Sequence, residues 1–218
     1  MLVELFTSEG CSDCPPADAL LARLDATQFV PGAHAIVLSE HVTYWNHLGW
    51  RDPFSFEAMT ARQEQYVRGF GLDSAYTPQM VVDGTVQFVG SRADELESAV
   101  AHEAAMPKLA ISLEDARWTT NTVHFAVHTS LPPHTALYVV LAQDATRSEV
   151  AHGENAGRTL HHVAVVRVLK QYGAKAAEGE PLQLATGDKM TGPLRLVVFV
   201  ANGRNGHVLG ATEQTLTQ

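Results

Sequence analysis

Cys11 and Cys14 are the only cysteines in the chain, and only Ser12 and Asp13 separate them. That spacing suits two chemistries: half of a thiolate zinc site, or a dithiol that opens and closes as a disulfide. A four-thiolate zinc site needs a second cysteine pair, which is absent from the 218 residues. A mixed copper or zinc site built from Cys11, Cys14 and His41 stays open as an alternative, as does an inert pair. The neighbours favour redox chemistry. Leu2 to Thr7 reads as a short apolar strand, and Pro15-Pro16 follow the second cysteine directly. Proline is tolerated in the first turn of a helix, where its missing N–H would have no partner, so these residues mark a helix start. Ala17, Leu20, Leu21 and Leu24 continue it at helical spacing. A helix N-terminus carries partial positive charge and stabilises a thiolate, so Cys11 is expected to attack and Cys14, one turn further in, to resolve the mixed disulfide. Glu9 and Asp13 oppose that field and keep the lowering of the thiol pKa modest.

Other side chains with chemical potential are scattered. Trp45 and Trp50 sit in an aromatic-rich stretch between His41 and Phe54, where core packing and a substrate-facing wall suit them equally. Glu9 and Asp52 are candidate proton acceptors near the sulfurs, although Asp52 precedes Pro53 as turn residues do. Of the eleven histidines, His41 and His47 are closest in sequence to the candidate site, whereas His161 and His162 would face opposite sides of a strand.

The elements that must position these residues follow in order. A second strand spans Ala33 to Ser39; the irregular segment 40–54 is an inserted loop; a helix capped by Ser55 runs through Phe56, Met59, Tyr66 and Phe70. Thr77-Pro78 precedes a hairpin turned at Asp83-Gly84, a type I′ signal. Ser91 to Asp94 has capping-box form and opens a third helix. After Met106-Pro107 the pattern changes to seven short β-type runs. The expected architecture is an α/β domain at residues 1–106 followed by an all-β, sandwich-like domain at 107–218.

Specific runs carry a resemblance. The segments Phe6 to Asp18, His41 to Phe54, Thr60 to Gln63, Tyr76 to Gln79, Gly153 to Leu160 and Val208 to Ala211 together resemble DUF1223, a bacterial family of unknown function. The element order more broadly resembles the thioredoxin superfamily, which implies that the α/β domain at residues 1–106 is an α/β thioredoxin-like domain. That resemblance implies a cis Thr77-Pro78 bond facing the cysteines. Pro78 would then shape a substrate groove beside Thr77, with Trp45 and Trp50 near it. Resemblance to DUF1223 also implies an exported protein, periplasmic or secreted, whose leader has been removed; the residues alone leave a cytosolic protein open.

Composition narrows the partners. With 15 basic and 24 acidic side chains the formal charge is −9, and no basic stripe offers the footprint nucleic acid requires. The most apolar stretch, Leu194 to Ala201, has the length of a buried strand, so no membrane span is expected. The expected activity is thiol-disulfide exchange with a disulfide-bearing protein or small thiol, without an organic cofactor. A noncatalytic partner-binding protein is the remaining alternative.

Overall fold

The computed structural model describes residues 1–186, 190 and 192–217. Its first half runs β1 (Leu2–Thr7), α1 (Pro15–Thr27), β2 (Ile36–His41), α2 (Glu57–Phe70), β3 (Gln79–Val82), β4 (Val86–Val89) and α3 (Ala93–Ala104). The second half contributes β5 (Ser112–Thr119), β6 (Thr122–His128), β7 (Thr135–Glu149), β8 (Thr159–Tyr172), β9 (Leu182–Ala185), β10 (Leu194–Asn202) and β11 (Val208–Leu216), with a 3₁₀ turn at Ala174–Ala177.

Local chemistry explains several boundaries. Pro15 and Pro16 occupy the first positions of α1, and Gln28 closes it in the left-handed region. Asp83 and Gly84 both take positive φ, as a type I′ turn demands. Two expected caps are corrected. The residue preceding α2 is an extended Phe56, while the Ser55 hydroxyl donates to the Asp52 carbonyl instead. Arg92, and not Ser91, caps α3, without a side-chain hydrogen bond.

Pairing across the two halves decides the architecture. Eight strands form one mixed sheet in the order β11-β10-β7-β8-β2-β1-β3-β4, and β5-β6-β9 form a small second sheet. The join lies between β2 and β8, where Ser39 and Val165 pair in parallel. An α/β thioredoxin-like domain followed by a β-sandwich-like domain is therefore not the architecture of this chain, which is mostly β and whose main sheet runs through both halves. The physical reason lies in the long second-half strands. Along β7, Tyr138, Val140 and Ala142 face one apolar core while Leu137, Val139 and Leu141 face another. Strands apolar on both faces must be covered on both. On β7 and β10 one face packs with α1, α3 and the first-half strands, and the other meets β6 and β9.

A buried charged cluster sits within the layer under α2. Arg62 donates to Glu4 and to the Tyr66 hydroxyl, lies 3.6 Å from Glu40 and is stacked 4.9 Å over the Phe199 ring. Burial pushes the Glu40 carboxyl well above its usual range, and the Glu4 charge beside it adds to the effect. Arg62 outweighs burial at Glu4, whose carboxyl is held below that range. Among the described residues no helix is long and apolar enough to cross a membrane.

Candidate functional site

Ser8-Glu9-Gly10 turns the chain from β1 into α1, and the two cysteines sit at this junction. The Cys11 N–H donates to the Ser8 carbonyl at 3.1 Å and the Cys14 N–H to the Cys11 carbonyl at 3.3 Å. Cys14 caps α1, its carbonyl accepting from the N–H groups of Ala17 and Asp18 at 2.9 and 3.0 Å. Cys11 and Cys14 are joined as a disulfide. Cys11, expected as the attacking sulfur, is as buried as Cys14: their exposures are 1% and 0%.

Thr77-Pro78 is cis, and the Thr77 carbonyl oxygen lies 3.9 Å from Cys11 Sγ. Pro78 is buried at the start of β3. Trp45 is held against this segment, its indole N–H donating to Thr77 Oγ1 at 2.8 Å. Cys11, Cys14, Thr77, Pro78 and Trp45 thus come together. Trp50 points elsewhere, its indole N–H donating to Glu9 Oε2 at 2.8 Å. Both tryptophans are half-buried, so each pairs its polar edge within the protein while keeping part of its ring in solvent. His47 is exposed, outside this cluster.

Glu9 is the hub that the sequence undersold. Its carboxylate also accepts from the Ser148 hydroxyl and lies 3.4 Å from His162 Nε2, while its N–H donates to Asp52 Oδ2 at 2.8 Å. His162 Nδ1 is 3.6 Å from Asp18 Oδ1, to which Thr7 also donates at 3.0 Å. Burial pulls the His162 imidazolium down, but Asp18 and Glu9 outweigh it and raise its pKa to about 10. The ring of His41 packs edge-on to His162 at 4.6 Å and holds Asp52 at 2.7 Å. Burial pushes the Asp52 carboxyl up, yet His41 and the backbone N–H groups of Glu9 and Phe54 leave it below its usual range. Asp52 and Glu9, the candidate proton acceptors near the sulfurs, are buried in this network.

The second half of the chain supplies the remaining contacts. Between β7 and β8, Asn155 donates from Nδ2 to the carbonyls of Glu9 and Cys11, both at 2.9 Å, and Glu154 accepts from the Ser12 N–H at 3.0 Å. Arg158 binds the Asn155 side-chain oxygen at 2.8 Å. The sequence signal for these residues was the motif Gly153 to Leu160; nothing in its spacing pointed to Glu9 or Cys11. Among the described residues no group of three or more His, Cys, Asp or Glu is arranged to hold a metal ion.

A family described as "Protein of unknown function (DUF1223)" matches residues 2–201. The chain belongs to the DUF1223 family. As a DUF1223 protein it shares its fold with a crystallised Agrobacterium tumefaciens protein, a structural-genomics target, at 24% identity and a TM-score of 0.71, covering 97% of this chain and 92% of that one. No curated protein matches the chain. The Gly10-Cys11 turn, the tryptophan segment and the Gly153 to Leu160 motif of this DUF1223 protein all meet around one disulfide.

Proposed function

We propose that the protein is a thiol-disulfide oxidoreductase acting through Cys11 and Cys14. The observation that carries this reading is the closure of the pair as a disulfide across the turn that opens α1. There, breaking the bond would place a thiolate at a helix N-terminus, where the backbone dipole favours negative charge. In the reducing direction of the pair, a donor thiolate attacks Cys11 Sγ, and the electron pair of the S–S bond leaves on Cys14, which takes a proton. The donor's second thiol then attacks the mixed disulfide and releases Cys11 as a thiol. Two electrons and two protons have moved from the donor to the pair, and the donor departs as a disulfide. In the opposite direction Cys11 attacks a substrate disulfide and Cys14 resolves it. Pro78 and Thr77 form the wall beside Cys11, and Trp45 braces Thr77.

The test is equilibration in buffers of graded reduced-to-oxidised dithiothreitol ratio, with acid quenching and alkylation of the free thiols. The expected result is one reversible two-electron midpoint with the fold retained on both sides. A pair that reduces only on unfolding, or fails to reoxidise, would refute the reading.

A further inference from the structure

A disulfide that exchanges with a partner must at some point open the attacked sulfur, here Cys11, to in-line approach, yet Cys11 and Cys14 are 1% and 0% exposed. The tip between β7 and β8, brought from more than 140 positions away, is seated on the backbone of residues 9–12 that carry the motif. Three hydrogen bonds seat it: Asn155 Nδ2 to the carbonyls of Glu9 and Cys11, and the Ser12 N–H to Glu154. Asn155 is 1% exposed, whereas Glu154 and Arg158 lie at the surface. The tip is built for this seat. Gly153 has φ +79°, and a Cβ there would come within 3.1 Å of Trp50 Cβ, so only glycine lets the tip lie this close to the 48–50 segment. Within the tip, the Gly157 N–H returns to the Val150 carbonyl at 2.8 Å and Arg158 braces Asn155, which makes the segment a small unit of its own.

We propose that residues 150–158 are a latch over the Cys11–Cys14 disulfide, with Asn155 and Glu154 as the residues that decide when a thiol reaches it. This rests on the proposed exchange activity and adds a regulated access step. The Asn155 bonds go to backbone carbonyls and the Glu154 carboxylate to the N–H and side chain of Ser12, so none of these bonds uses a sulfur. The same contacts are thus available whether the pair is oxidised or reduced. A latch of this kind changes how fast thiols enter and leave without changing which redox form is favoured.

The experiment measures rate constants for reduction of the full chain by dithiothreitol, and for reoxidation by its cyclic disulfide, in the wild type, Asn155→Ala and Glu154→Ala. Loss of the two Asn155 bonds should speed both directions about tenfold, and loss of the single exposed Glu154 contact about threefold, with the midpoint equilibrium constant changing less than about twofold. Unchanged rates, or acceleration in one direction only, would overturn the latch. Glu154→Ala removes a surface side chain, so it reports even if Asn155→Ala is poorly folded. A wild type without a reversible midpoint would instead refute the exchange reading, and the dithiothreitol reduction rates would still report on the latch.

Discussion

His162 Nε2 lies 3.4 Å from Glu9 Oε1, an ion pair between residues 153 positions apart. It ties β8 to the turn that carries Cys11, and Asp18 holds the other ring nitrogen at 3.6 Å.

This pair makes stability depend on pH with a definite sign. The folded-state pKa of His162 is raised from 6.5 to about 10, so its contribution is fully present below about pH 6.5 and is lost as pH rises through about 10. Denaturant unfolding of the wild type should show a falling contribution across that window. His162→Gln should cost about 3 kcal/mol at pH 6, because Glu9 and Asp18 lose their buried cation, and its pH slope between 7 and 10 should be flatter. Equal slopes in variant and wild type would contradict the assignment.

The buried Glu4, Glu40, Arg62 and Tyr66 cluster gives a contrasting pair of outcomes. Arg62→Met should destabilise by about 3–5 kcal/mol, since it leaves Glu4 uncompensated beneath α2. Glu40 has its folded pKa raised, so its contribution is fully present below its unfolded value of 4.5 and is lost as pH rises through the raised folded value. Glu40→Gln, a near-isosteric neutral replacement, should therefore be more stable than wild type at pH 8 and not at pH 4. Chemical unfolding at the two pH values checks both.

Exchange chemistry at the disulfide predicts unequal single variants. With Cys11 as the attacking sulfur, Cys14→Ser should accumulate mixed disulfides with a dithiol-derived or protein partner, whereas Cys11→Ser should not. Non-reducing electrophoresis with mass mapping of the linked peptide reads this directly. A cross-link that maps to Cys14 in the Cys11→Ser protein would reverse the roles of the two sulfurs.

Much of the local structure was legible because it rests on residues close in sequence. Pro15-Pro16 announce α1 by the absence of N–H groups, and Asp83-Gly84 announce the β3–β4 turn by their tolerance of positive φ. Six of the seven second-half runs fall on strands, Leu182 to Ala185 with the same ends, whereas the first, Leu109 to Leu113, meets β5 only at Ser112 and Leu113. Capping was misplaced at Ser55, whose hydroxyl is taken by the Asp52 carbonyl, and at Ser91, where Arg92 precedes α3 instead.

The sequence by itself determined a cysteine pair at a strand-to-helix junction, the family and the β-rich second half, since each depends on neighbouring residue types or on motif identity. Only the tertiary structure decided that the second-half strands extend the first-half sheet through Ser39 and Val165, because period-two apolarity marks which faces are buried and not which strand lies alongside. It alone also decided that Glu9, Asp18 and His162 form one buried group and that Asn155 closes over Cys11. Those contacts join residues up to 153 positions apart, and the stabilising force is charge pairing and hydrogen bonding in a region shielded from water, which no spacing along the chain encodes.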